Sequence, residues 1–189
     1  MKGLANYFFE AGMLKKMRRT GYPFLGSGGE SVADHCFRAA LIGYSLALDD
    51  PELDAARVAL MLLHHDLAEA RTGDLNYMHK QYARADEAKA TEDMVDGLPE
   101  AVAGQVRALV DEFNQKETPE ARLAGDADQL DLIVELKEQQ DLGNPYARHW
   151  IHYAVKRLGT QAARDMAREI LDTDWTDWWF EKNDDLWVR

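Results

Sequence analysis

Apolar residues recur at helical spacing along almost the whole chain, and this periodicity most limits what it can fold into. No segment sustains the period-two alternation of a half-buried strand. No Asn-Gly or Asp-Gly pair sits between apolar flanks as a hairpin turn would require. The spacing predicts helices at about 3–18, 30–48, 52–71, 79–97, 99–115, 119–142, 145–158, 160–171 and 175–182. Turn chemistry supports these divisions. GYPFLGSGGES reads as a glycine-rich loop in which Ser31 or Ser27 caps the next helix. Asp50-Pro51 is expected to open the helix that follows, with Gly73 in the place of its C-terminal cap. Thr118-Pro119-Glu120 starts another helix, and Gly143-Asn144-Pro145 separates two more. With no internal repeat or long linker, the expectation is a single all-α domain over the 189 residues, a compact bundle of irregular helices.

Charge narrows the function. Lys and Arg number 22 against 34 Asp and Glu, a formal charge of −12. Broad binding to a nucleic-acid polymer needs many cationic phosphate contacts and is disfavoured. A small phosphate ester held by a metal ion and one or two local cations remains open. No apolar run approaches the ~18 residues of a membrane helix, and the N-terminus lacks a signal-peptide pattern. The lone cysteine, Cys36, cannot form an internal disulfide. Together these features suit a reducing cytoplasm and no membrane partner.

The stretch LLHHDLAEARTGD, residues 62–74, breaks an apolar pattern with metal-capable groups. On a continuous helix His65 and Glu69 share a face, and Asp66 neighbours Glu69. Two ligands from one helix do not make a tight site, so others must come from elsewhere. His35, in ESVADHCFRAALIGYSLAL, and Asp128, in ARLAGDADQLDLIVELKEQ, each lie at the edge of an apolar stripe. Burying either alone is costly, and an ion or a partner removes most of that cost. Two imidazoles and two carboxylates without thiolate favour Mn, Co, Fe, Ni or Zn over a soft-metal site.

The order His35, His65-Asp66, Asp128 resembles that of the HD-domain metal-dependent phosphohydrolases. LKKMRRTGY, ESVADH, HHDLAEARTGD and GDADQLDLIVELKEQ follow the order and approximate spacing of the bacterial 5'-deoxynucleotidases and their eukaryotic HD-domain relatives. The resemblance spans about residues 10–142, the motif-bearing core, with C-terminal helices from 145 to 189 beyond it. It implies an HD-domain bundle in which His35, His65, Asp66 and Asp128 hold one divalent transition-metal ion. It implies acid/base and water-orienting roles for Glu69 and Asp74, without saying which is which. It assigns Arg19 to the substrate phosphate, with Arg18 as fallback, and Glu112 to a sugar hydroxyl. Asp128 rather than Asp126 or Asp131 matches the final motif, and Asp131 is placed behind the ligands. The implied substrate is a (deoxy)nucleoside 5'-monophosphate, and the implied assembly is a homodimer. Thr20-Gly21 separates Arg19 from Tyr22, so the resemblance leaves base stacking by Tyr22 open.

Plainer roles suit the remaining candidates. His64 reads as a packing residue, and His79, His149 and His152 as structural or exposed. With only His79 between the His-Asp pair and Asp128, one ion is favoured over two, which counts against a di-iron oxygenase. Cys36 reads as a small buried hydrophobe. Trp175, Trp178 and Trp179 have helical spacing and would cover a core seam or a dimer face. Rival readings are a phosphatase or phosphodiesterase acting on another small ester, and a metal-binding module without catalysis.

Overall fold

A computed structural model describes residues 1–180 and Trp187. Among the described residues there is no strand, only an isolated antiparallel bridge between Arg18 and Ser31. The helices are α1 (Lys2–Ala11), α2 (Tyr22–Leu25), α3 (Val32–Ala47), α4 (Ala55–His64), α5 (Glu69–Thr72), α6 (Glu87–Val95), α7 (Glu100–Gln115), α8 (Pro119–Asp141), α9 (Ala147–Val155) and α10 (Gln161–Asp172). The all-α expectation therefore holds, and α3, α7, α8, α9 and α10 lie close to their expected spans.

The departures occur where side chains or distant backbone segments take over backbone hydrogen bonds. The helix expected over 3–18 stops at Ala11 and passes through a 3-10 turn, Gly12–Lys15. The chain then runs alongside the residues that precede α3, with Arg19 N donating to Glu30 O at 3.0 Å and Val32 N to Met17 O at 2.9 Å. The stretch read as a glycine-rich loop contains α2, which has Pro23 in its first turn and ends at Gly26. Ser31 caps α3 in a reciprocal box with Asp34, whereas Ser27 donates to Gln139 instead. The helix expected from 52 starts later, because Asp54 rather than Asp50-Pro51 caps it by accepting from Arg57 N at 3.0 Å. Of the span 79–97, only α6 and a 3-10 turn at His79–Gln81 are helical, with Asp86 capping α6. Residues 175–180 form turns rather than the expected helix, and residues 181 and 182 of that span lie outside the described residues.

The long helix α8 runs through the centre and buries residues on all sides. Its first half, Ala121, Leu123, Ala124 and Ala127, packs with Ala39, Ala40 and Ala47 of α3, Val58, Met61 and Leu62 of α4, and Leu109 and Phe113 of α7. Its second half, Leu130 and Ile133, packs with Ala154, Leu158, Ala163 and Ala167. Small residues let these helices approach closely. A Cβ at Gly43 would lie 2.4 Å from Leu62 Cδ1 and 2.9 Å from Val58 Cγ1. A side chain there would force Leu62 and Val58 of α4 to shift, on the two helices whose ends carry His65 and His35.

Candidate active site

The helix expected to continue through residue 71 breaks at His65. Four turn residues, His65 to Ala68, separate α4 from α5. Bonds from Leu67 N to His64 O, Glu69 N to Asp66 O and Ala70 N to Leu67 O span three residues each, the tighter spacing of a 3-10 turn. His65 and Glu69 therefore do not share the face of one continuous helix. The imidazole of His65 takes part in the break. Its Nδ1 lies 2.7 Å from Leu62 O, and a carbonyl only accepts, so Nδ1 carries the proton and Nε2 is left as a bare ligand atom.

His35 reaches the same place from the second turn of α3. Its ring is fully buried, and Nδ1 lies 2.5 Å from Asp131 Oδ2 on α8. Asp131, also fully buried, accepts a second bond from Arg38 Nε. Arg38 in turn binds Glu135 at 3.0 Å and Glu30 at 3.4 Å. This network fixes the ring so that Nε2 points at its neighbours. His35 Nε2 lies 3.3 Å from His65 Nε2, 3.2 Å from Asp128 Oδ1 and 3.7 Å from Asp66 Oδ2. His65 Nε2 lies 3.3 Å from Asp66 Oδ2.

Electrostatics marks this point as a place for positive charge. Burial works against a charged His35, but hydrogen bonds to Asp128 and Asp131 outweigh it and raise the imidazolium to about 10. Burial likewise opposes ionisation of Asp128, yet the bond from His35 and the nearby cations hold it well below the usual carboxylate range. In the metal-free protein a proton on His35 supplies the charge that an ion would otherwise bring, and ion binding would release it. His35, His65 and Asp66 each offer an atom within 4.8 Å of the others, with Asp128 against His35. This nitrogen and oxygen donor set fits a divalent ion. Glu30, His35 and Asp131 satisfy the same spacing, but the Arg38 guanidinium already occupies that cluster.

These groups adjoin a cleft of about 720 Å³ through Asp66 and Asp128. Arg19, Asp66, Glu69, Asp74 and Asp128 all line it. Arg19 Nη1 is 3.8 Å from Asp66 Oδ2, whereas exposed Arg18 points toward Gly29 O. Asp74, just after Gly73 (φ 79), is tied to the segment that carries Arg19. Thr20 N donates to its carboxylate at 2.5 Å, and Thr20 Oγ1 to its carbonyl at 3.0 Å. Glu69 is different. Its Oε2 is buried with no partner, and burial together with Asp66 and Asp74 raises it to about 9. In the metal-free protein a carboxyl in that environment holds a proton at neutral pH.

Glu112 is not brought to the cleft. Its carboxylate accepts from Arg57 Nε at 2.6 Å and from Thr118 Oγ1 at 2.7 Å. His64 bonds back to Leu60 O, and His79 sits beside Phe24. Tyr22 lines the cleft, but it is buried and its hydroxyl is committed to Glu30 at 2.7 Å. Sequence reasoning missed the contribution of α9, because His149, Trp150 and Tyr153 line the cleft along with Arg157 beyond the helix end. Only the three- and four-residue spacing of these side chains could have signalled it, and most helix faces share that spacing.

The HD domain, as a sequence family, matches residues 11–170. The 5'-deoxynucleotidase HDDC2 of Mus musculus is 29% identical over 150 residues, covering 77% of this chain and 74% of its own length. A 5'-deoxynucleotidase of Enterobacter sp. (strain 638) is 32% identical over 127 residues, 61% of this chain and 63% of its own. Among solved structures, a predicted metal-dependent phosphohydrolase from Magnetospirillum magnetotacticum MS-1 superposes with a TM-score of 0.71 at 27% identity, covering 90% of each chain.

Proposed function

This chain belongs to the HD-domain family, and from that premise we propose that it is a metal-dependent phosphomonoesterase that hydrolyses (deoxy)nucleoside 5'-monophosphates to nucleoside and phosphate. The observation that carries this reading is the convergence of the His35 and His65 Nε2 atoms with Asp66 and Asp128 beside the cleft. The 5'-deoxynucleotidases it resembles support the substrate class.

His35, His65, Asp66 and Asp128 would hold one divalent transition-metal ion, among Mn, Co, Fe, Ni and Zn. Such an ion lowers the pKa of water and polarises the phosphoryl group. The chain's own groups supply the rest. Arg19 pairs with the phosphate dianion as a bidentate donor. Glu69, holding its proton, delivers it to the departing 5'-oxygen. Asp74, anchored by Thr20 N–H, accepts a proton from the attacking water and orients it.

The test is a phosphate-release screen over all deoxy- and ribonucleoside monophosphates, with Mn, Co, Zn and Mg added singly. We expect turnover of 5'-monophosphates with one or more of the transition metals. Turnover of p-nitrophenyl phosphate or a cyclic dinucleotide, with none of any mononucleotide, overturns the substrate class and moves the reading to another small ester.

We also propose one domain and a cytoplasmic setting. Among the described residues no helix is long and apolar enough to cross a membrane. We further propose a homodimer. Phe37, Leu41, Tyr44 and Leu48 form a stripe along the outer face of α3, with Leu60 and Leu63 of α4, and all are exposed. An apolar stripe of that length on a monomer is unusual. Light scattering coupled to size exclusion is expected to give twice the 21.5 kDa chain mass, and a monomer at micromolar concentration removes the proposal.

A further inference from the structure

The four carboxylates and Arg19 account for only part of the cleft lining. Aromatic residues of α9, which lies beyond the catalytic motifs, supply another part. One face of α9, Ala147, Ile151 and Ala154, is buried, and Ala147 and Ile151 pack with Tyr22, Leu25 and Leu136. That packing turns a second stripe, Trp150, Tyr153 and Arg157, into the cleft. Trp150 and Tyr153 are three apart and so neighbours on one face of α9, and Arg157 follows past its end.

Trp150 sits close to the segment that carries Arg19. A Cβ at Gly21 would lie 3.6 Å from Trp150 Cζ3, so the six-membered ring of the indole rests against the backbone two residues after Arg19. Leu132 and Leu136 of α8 line the cleft as well. Tyr77 and Met78 line it from the loop after Asp74, and this loop is tied to α9. Arg157 stands 5.0 Å over the Tyr77 ring and donates to its hydroxyl. Tyr153 remains 64% exposed to solvent and lines the cleft, with Lys156 Nζ 5.7 Å from its ring centroid. Gln129, beside Asp128, lines the cleft too, its amide Nε2 donating to Asp128 Oδ2 at 3.3 Å.

A ligand matching this cleft carries a dianion for Arg19 and a flat apolar ring for the aromatic side chains of α9. We infer that Trp150 and Tyr153 form the wall on which the nucleobase stacks. This rests on the phosphomonoesterase reading and makes α9, rather than Tyr22, the aromatic that selects substrates carrying a base. Every base has a π-face, so stacking on this wall tolerates different bases.

The test compares dAMP with deoxyribose 5-phosphate, which has the phosphate and sugar but no base. In Trp150→Leu, which keeps an apolar side chain, KM for dAMP is expected to rise about 10- to 100-fold, with kcat changed far less. The ratio of kcat/KM for dAMP over deoxyribose 5-phosphate is expected to fall by a similar factor, and Trp150→Phe is expected to recover most of it. Calorimetric binding of deoxyadenosine, which needs no turnover, is expected to weaken in Trp150→Leu and return in Trp150→Phe. An unchanged ratio, or equal losses on both substrates, overturns the wall. If the wild-type protein hydrolyses neither phosphate yet binds deoxyadenosine through Trp150, the reaction falls and the wall stands.

Discussion

In His65→Ala the affinity of the metal-free protein for Mn2+ is expected to fall at least about 100-fold, and kcat/KM for a nucleoside monophosphate by about 1000-fold or more. Loss of a residue that only orients a ligand costs about 10- to 100-fold, and loss of a ligand itself should exceed that. An ion worth several kcal/mol of barrier corresponds to about three decades in rate. The geometry is specific. His65 Nε2 stands 3.3 Å from both His35 Nε2 and Asp66 Oδ2, and the Nδ1 bond to Leu62 O prevents the ring from turning away. The ring also packs on Phe113 at 4.8 Å between centroids, so its removal lowers stability. A melting curve on the same sample separates that loss from loss of the ion. Normal Mn2+ affinity in the variant would remove His65 from the ligand set, and full turnover would remove the mechanism with it.

In Glu69→Gln the ion is expected to bind as in the wild type while kcat falls about 100- to 10000-fold, the span of a lost general acid. The amide keeps the shape but cannot give up a proton to an alkoxide. A drop in Mn2+ affinity matching the drop in kcat would instead make Glu69 a ligand. Stability provides a separate readout. The folded value of Glu69, about 9, lies above the ordinary 4.5 of a glutamate. Between those values the folded metal-free protein binds more protons here than the unfolded chain, so stability falls as pH rises through that window. Below about 4.5 both states are protonated and the full contribution is present; it is lost as pH climbs toward 9. Glu69→Gln is expected to flatten this decline in thermal melts of the metal-free protein. A decline equal to the wild type's would mean that Glu69 titrates like an exposed carboxylate.

Much of the architecture was legible because helical periodicity is local. Val32–Ala47 and Pro119–Asp141 repeat their apolar positions for many turns and carry their own caps, Ser31 and Thr118. The misreadings share a cause. At His65, at the end of α1 and before α6, the helical pattern continues in sequence, but a side chain or a distant backbone segment takes the hydrogen bonds. In chain order His35, His65, Asp66 and Asp128 stood out as polar groups at the edges of apolar stripes, and the fold brings them together. Glu112 is not brought to the cleft because Arg57 from α4 and Thr118 before α8 take up its carboxylate.

Three acids on α8 mark the limit of the sequence. Asp126, Asp128 and Asp131 are close in the chain and alike in chemistry, but Asp126 holds a turn while Asp128 and Asp131 meet opposite nitrogens of His35. Asp126 accepts from Gly159 N at 2.8 Å and Thr160 N at 2.7 Å, holding the turn before α10. Asp128 faces the cleft, and Asp131 orients His35. Successive α-helix residues turn by about 100°, so the sequence by itself determined that these side chains leave α8 in different directions, and that the chain is helical. Which direction meets solvent, a turn or an imidazole was decided only when α3, α9 and α10 packed around α8, because a carboxylate's role depends on the groups that surround it.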